Sequence, residues 1–576
     1  MRRGAVAARR RTSTGGGGGD PPPPPSDEVS DWAGPVSATT DPPPASGGAA
    51  DVVFPSNAGH VNVKNAPYNA VGNGVADDTN AILNALLAND YQNSSSNNPH
   101  IDRPAARTVY LPEGTYRVTD SLVFPGCGVR IIGAGEGKTI IKLANNATGF
   151  GSAGTPKYLL RTGLAGVNDQ ENSGFANYIH HLTLDIGSGN PGAIGCRYSV
   201  ANSGSMRHVT IKSSDATKRG VHGLMFGTTA GPGYVADVTI DGFDNGIYTE
   251  DNSVNDIALS NITLTNQRNR SILHSAKCLV FENLTISGAP IEMNDANAML
   301  MIDKLTMSGP GSGTAMDIVA NGYLWVRDVN ATGWSNLITT GGTNRFSGRT
   351  AITEWASVSY RRGNATVAWT ENTGYVGLHL PMTRAPEYLN DNLAQWARPQ
   401  DFGYGGSGDA GPAIQAAIDS GAKVVYLPYA RYTISSPVVV RGAVRLIECM
   451  FSIINKGTGG SWTFGNVNDG EVIMQDFVPD GNLTLIHNSP DTVVVRDNGN
   501  RNSYQTPVVE TGSSATGDLF FESAGANQRV VINRPINVWL RQINRERAAG
   551  SVAGGATVRV FGDNVELSDT DIEADY

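Results

Sequence analysis

The chain has 576 residues, a formal net charge of -10 and only 17% charged residues. This acidic balance argues against nucleic acid as the main partner, because displacing counterions from phosphates needs a basic face. No apolar run approaches the roughly 18 residues of a membrane span, so no membrane association is expected. Gly 69, with abundant Asn, Thr and Val, describes a turn-rich β protein rather than a helical one. Cys127, Cys196, Cys278 and Cys449 lie far apart without C-x-x-C spacing. Neither a zinc knuckle nor a disulfide framework is indicated; buried free thiols, no metal and no cofactor are expected.

Residues 1–50 begin with arginines, lack the apolar stretch of a signal peptide, and continue into unbroken glycine and proline tracts. They are expected to be a disordered tail and linker. Residues 51–385 and 386–576 form two similar modules. The first opens with "VGNGVADDTNAILNALL" and continues "TVYLPEGTYRVTDSLVFPGCGVRIIGAG"; the second has "GYGGSGDAGPAIQAAIDSG" and "VVYLPYARYTISSPVVVRGAVRLIECM". Tyr110 thereby corresponds to Tyr426 and Arg130 to Arg445. Each opening predicts a short helix with one apolar stripe, Ile82, Ala85 and Leu86 or Ile414, Ala417 and Ile418, laid across the end of its module. The carboxylates Asp77 and Asp78, with Thr79, are read as capping groups rather than a metal site; Asp409 is their counterpart.

From His181 the sequence repeats "HLTLDI", "HVTIKS", "DVTIDG", "NITLTN", "NLTISG" and "KLTMSG". The central residues Thr183, Thr210, Thr239, Thr263, Thr285 and Thr306 are 27, 29, 24, 22 and 21 positions apart. Apolar neighbours such as Val209 and Ile211 alternate with each Thr, so one face packs inward and the threonines stack outward. Short strands at this period, joined by Gly, Asn and Asp, predict a solenoid of strands. The expected fold class is all-β: tandem right-handed parallel β-helices, each opened by a short capping helix.

The pattern "GNGVADDTNAI" followed by "VYLPEGTYRV" resembles the opening of the pectate lyase superfamily β-helix. Two such modules in tandem resemble glycoside hydrolase family 55, the β-1,3-glucanases whose paired β-helices hold the active site between them. The segment Trp539, Arg541, Gln542, Ile543, Asn544 and Glu546 is similar to that family's W-x-R-Q-L-N-x-E, with Ile for Leu. The resemblance implies Glu546 as general acid. "GDLFFES" resembles the family's F-x-E-D and implies a second acid at Glu522. "YSVANSGSMRHV" resembles W-Q-V-A-Q-A-T-S-L-Q-N-V, which puts Asn202 and Ser205 on the attacking water and Tyr198 where the family has Trp. Asn202 is one methylene shorter than the family's Gln. Inverting cleavage of a glycan, chiefly β-1,3-glucan, is what the likeness implies.

The chemistry is consistent with these residue types. Glycosidic cleavage needs an acid for the leaving oxygen and groups that aim a water at the anomeric carbon. Strand alternation from Arg541 onward would put Gln542, Asn544 and Glu546 on one face, and a rung of the β-helix would bring Glu522 to Glu546. Sugar faces need aromatic platforms, for which Trp539 is the foremost candidate, with Tyr198, Trp325, Trp334, Trp355 and Tyr504. Two rivals stay open. "DVTIDGFDNGIYTEDNSVND" supplies oxygens for a calcium-dependent pectate-type lyase, although Asp and Asn also close turns. A non-catalytic carbohydrate-binding or tailspike-like β-helix is the other. The expected partner is a polysaccharide, met by a monomer outside the cell or at its surface, although no signal peptide is visible.

Overall fold

A computed structural model describes residues 52–88, 108–124, 128, 130–163, 176–200, 204–227, 230–250, 256–275, 278–357, 360–362, 365–367, 384–389, 392–499, 509–524, 530–547, 558–560 and 564–574; from Ile543 onward the backbone alone is described. The expected tail, 1–50, residues 89–107, Cys127, Asn202 and Tyr504 lie outside these residues.

Strands between Val61 and Ala356 form a 14-stranded and a 10-stranded sheet, and strands from Trp396 to Ala574 form a 9-stranded and a 6-stranded sheet. Nearly all neighbours in these sheets are parallel and come from successive rungs, so the all-β tandem parallel β-helix expected from the repeats is the fold. Each solenoid encloses its own apolar core, one running from Val61 to Trp355 and the other from Ala397 to Leu540. At the far end of the first, Ala351–Ala356 pairs antiparallel with Tyr323–Thr332, covering an edge that another chain could otherwise extend.

The helices α1 (Thr79–Ala88) and α2 (Gly411–Asp419) open the two solenoids and bury Ile82, Ala85 and Leu86, and Ile414, Ala417 and Ile418. Asp77 accepts from the Thr79 N–H (3.1 Å) and hydroxyl (2.5 Å), as a capping carboxylate should. Asp78 instead clasps the preceding loop through Val71 N–H (2.6 Å) and Gly72 N–H (2.9 Å). Asp409 accepts from Gly411 N–H at 2.9 Å and ties α2 to the Ser435–Ser436 turn. Tyr110 and Tyr426 occupy equivalent places, opposite Ile132 and Glu448 respectively. That register makes Leu446, not Arg445, the counterpart of Arg130, a one-residue slip in the sequence comparison.

The six threonines lie in register, Thr183 to Thr210, Thr239, Thr263, Thr285 and Thr306. Thr285 and Thr306 are exposed, whereas Thr183 is buried beneath Gly137, whose N–H donates to its hydroxyl at 3.0 Å. The first residue of every repeat, His181, His208, Asp237, Asn261, Asn283 and Lys304, has φ between 53° and 63°. This left-handed corner breaks the alternation: Met206 and Val209 both enter the core, though three positions apart. Met450, Phe451, Asp476, Asp497, Ser523 and Gln542 hold the same left-handed conformation in the second solenoid. Cys196 and Cys449 are buried free thiols, and Cys278 is also buried.

Candidate functional site

The residue before each corner projects from the sheet, and successive rungs stack these residues into a column. In the first solenoid the column runs His180, Arg207, Ala236, Ser260, Glu282. In the second it runs Glu448, Gln475, Arg496, Glu522, Arg541. The two columns face each other along a seam. Ser205 Oγ donates to Asp497 Oδ1 at 2.8 Å, Arg207 bonds the other Asp497 oxygen, and Arg541 Nε donates to Glu282 Oε2 at 2.8 Å. Polar groups at such depth are tolerated only when hydrogen-bonded, which is why each side supplies the complement of the other.

Segment 384–389 threads this seam. Arg384 bonds Asp237, and Glu387 meets Arg496, Arg207 (3.6 Å) and His208 Nε2 (3.2 Å). Burial opposes charge on Glu387, but the surrounding cations outweigh it and hold its carboxyl well below the usual range; the same contact raises His208 despite its burial.

Two clefts open in the seam and share Arg207 as a lining residue. The first, of about 390 Å³, is lined by Tyr234, Ser260, Glu282, Glu522 and Arg541 among others. Arg541 bridges both acids, reaching Glu522 Oε1 at 3.0 Å, and Tyr234 OH lies 3.5 Å from the same oxygen. The second, of about 460 Å³, is bordered by Phe54, His180, His181, Trp396, Glu448 and Asp476 among others. Burial raises the Glu448 carboxyl to about 7, although Gln475 Nε2 (2.8 Å) and Met450 N–H (2.9 Å) donate to it. Burial, with Glu448 and Asp497 nearby, raises Asp476 well above the ordinary carboxylate range. Burial lowers His180 and His181.

The residues anticipated from sequence are distributed unevenly around this seam. Glu522 and Arg541 line the first cleft, and Ser205 stands in the seam, 2.7 Å from His180 Nε2. The expected rung contact between Glu522 and Glu546 is replaced: Glu522 is in register with Arg541, while the backbone of Glu546 lies beyond the corner and pairs with Glu573. The cause is the left-handed Gln542 (φ 49°), which ends the alternation assumed for Gln542, Asn544 and Glu546. Gln542 itself is fully buried, and the side chains of Asn544 and Glu546 lie outside the described residues.

Trp539 is 2% exposed and stacks on Phe520 at 4.3 Å, in an apolar column with Val424, Leu446, Ile473 and Val494. It is a packing residue rather than an open platform. Tyr198 is likewise in the core, its hydroxyl donating to Asn177 O at 2.7 Å. Trp355 is buried, and the Trp325 indole N–H donates to Glu354 at 3.2 Å. Asp237, Asp241 and Asp244, offered above as calcium ligands, hold Arg384, Lys218 and Arg268.

Sequence reasoning missed Arg207, Glu282, Glu387, Glu448, Asp476, Arg496 and Asp497. A signal existed for the first two: each directly precedes a repeat, at the position that forms the seam column.

Residues 60–294 match the sequence family described as rhamnogalacturonase A/epimerase, pectate lyase-like. The match lies within the first solenoid and leaves the Trp539–Glu546 segment outside it. No curated protein matches. Among solved structures, ORF18 of Geobacillus virus E2 is similar at 16% identity, covering 54% of this chain and 68% of that chain with a TM-score of 0.27. The catalytic unit of a GH87 α-1,3-glucanase from Streptomyces thermodiastaticus is similar at 13% identity, over 90% and 71%, with a TM-score of 0.29. The N-terminal fragment of bacteriophage Phi29 gene product 12 is similar at 13% identity, over 83% and 85%, with a TM-score of 0.31. Superpositions this loose transfer neither residues nor chemistry. The chain has a pectate-lyase-like parallel β-helix fold.

Proposed function

We propose that this protein is a glycoside hydrolase acting on a polysaccharide, with β-1,3-glucan as its substrate and the seam between the β-helices as its site. The carrying observation is the first cleft, where Glu282 of one solenoid and Glu522 of the other converge with Tyr234 and Ser260.

In this reading Glu546, at the end of the strand that carries Arg541, protonates the leaving oxygen. Glu522, held by Arg541, is the anionic wall that favours an oxocarbenium-like transition state. Inversion requires a water on the opposite sugar face; Ser205 and Asn202 are the groups assigned to it. Glu546→Gln is expected to lower sugar release from laminarin by about 10²–10⁴-fold, and proton NMR of the first product should show the inverted anomer. Undiminished release by the variant removes Glu546 as the acid; no release by the unaltered protein removes the substrate.

A second reading is a non-catalytic, carbohydrate-binding β-helix. Its support is that Arg541 engages both Glu282 and Glu522, the pattern of a static interface. Binding of laminarin without release of sugar would favour it.

A further inference from the structure

The second cleft is closed at its mouth by a stretch of chain that belongs to neither β-helix core. Val52, Val53 and Phe54 line it, whereas the two cores begin in sequence at Val61 and Ala397. With that stretch in place, the room left for whole molecules amounts to about one or two waters.

Residues 52–58 reach both sides of the seam. On the first β-helix, Val52 N–H donates to Ala134 O at 2.9 Å, and Tyr110 OH donates to Val52 O at 2.6 Å. On the second, Tyr426 OH donates to Asn57 Oδ1 at 2.7 Å, and Tyr429 N–H donates to Ala58 O at 2.9 Å. Phe54 is T-shaped to both Tyr110, at 5.2 Å, and Trp396, at 6.4 Å. Because Tyr110 and Tyr426 hold equivalent places in the two modules, the same tyrosine of each module grips the one segment. Ala58 packs with Tyr426 and Met450 in a small cluster of its own. Gly59 (φ 85°) runs so close to the second β-helix that a Cβ there would lie 2.8 Å from Tyr429 Cβ.

This grip is shallow. Val52 to Pro55 are half-buried, and Ser56 and Asn57 are exposed in a turn that Ala58 N–H closes on Pro55 O at 2.9 Å. A segment with few buried apolar contacts, and with its backbone bonds near solvent, opens well before the strands beside it. Its lifting would uncover Met450, which is 2% exposed, and one wall of the cleft, without breaking a rung of either β-helix.

We propose that residues 52–58 are a displaceable clasp, an autoinhibitory contact that ties the two β-helices together at this end of the seam and shuts the second cleft until it lifts. The inhibitory consequence rests on the polysaccharide reading above; the clasp itself does not.

The test is iodoacetamide labelling of the full-length Met450→Cys protein, read by mass spectrometry, with the fully buried Cys449 as internal control. The introduced thiol should react at least about tenfold faster than Cys449. Adding Gly59→Ala, whose Cβ presses on Tyr429, should speed it at least about tenfold further and leave Cys449 unchanged. Tyr110→Phe with Tyr426→Phe, which removes one hydrogen bond from each side, should act in the same direction and serves if the alanine variant fails to fold. An introduced thiol no more reactive than Cys449 in all of these proteins overturns the proposal. So does equal acceleration of both thiols, which would mean that the β-helix itself loosens. The clasp variants without the Met450 change should release sugar from laminarin at least about threefold faster than the unaltered protein; an unchanged rate overturns the inhibitory role. No release by any of them, the unaltered protein included, counts against the hydrolase reading alone, and the labelling still decides the clasp.

Discussion

Two columns on the same strands of the first β-helix follow opposite rules. The strand Ser205–Lys212 contributes Thr210 to the outward column and Arg207 to the seam. The outward column repeats threonine on six rungs, while the seam column reads His180, Arg207, Ala236, Ser260, Glu282. A residue repeated on every rung answers to the spacing of rungs, which never changes. One that changes from rung to rung answers to what lies opposite it. Heterogeneity within a regular array therefore marks the surface on which this molecule makes specific contacts.

That contrast breaks most readily at Arg541. Arg541→Met leaves Glu282 and Glu522 buried without their shared cation and should cost about 3–5 kcal/mol, measured by urea unfolding. Replacing both glutamates by glutamine in the same background should restore most of it. A loss below about 1 kcal/mol, typical of an exposed pair, would make the seam no more demanding than the outer face.

Glu448 provides a pH-dependent version. Its carboxyl is raised from 4.5 to about 7, so between those values the unfolded chain loses a proton that the native state keeps. Stability from this group therefore falls as pH rises through that window and is level on either side. Glu448→Gln should flatten this slope and stabilise the protein above pH 7 by on the order of 3 kcal/mol, read from melting temperatures across pH. An unchanged slope would assign it to other groups.

The corner between the columns should respond less. Asn283 has φ 59° and donates to Asn261 Oδ1 at 2.8 Å. Asn283→Ala is expected to cost about 1–2 kcal/mol in urea unfolding, because alanine pays the full left-handed penalty. Thr285→Val, one column outward, should change stability by less than about 0.5 kcal/mol. If it costs as much as the corner, the threonine column is holding the rungs together rather than decorating them.

The period, the tandem duplication and the capping helices were legible because each is a local pattern: Thr recurring every 21 to 29 residues, an apolar stripe on α1, Asp77 and Asp409 before a helix. The site was legible only in part. Glu522 and Arg541 do reach the seam. Their relation to Glu546 was misjudged because alternation was carried across Gln542, although His181, His208 and their successors hold the same corner in each repeat. Trp539 and Tyr198 are candidates for sugar platforms by residue type, yet both are buried, which only the neighbouring rungs reveal. Asp497, Glu387 and Asp476 acquire meaning only across the seam, from contacts between residues far apart in the chain, 290 positions for Arg207 and Asp497 and 109 for Glu387 and Arg496, and no local pattern encodes such a meeting.

Glu387 belongs to the chain that joins the two solenoids, and it is gripped by Arg207 and His208 on one side and Arg496 on the other. The tether is thus also a registration key. Sliding one β-helix past the other by a single rung, about 4.8 Å, would pull this carboxylate away from one set of cations while the other held it. The alignment on which any shared cleft depends is set by the same few residues that make the two halves one polypeptide.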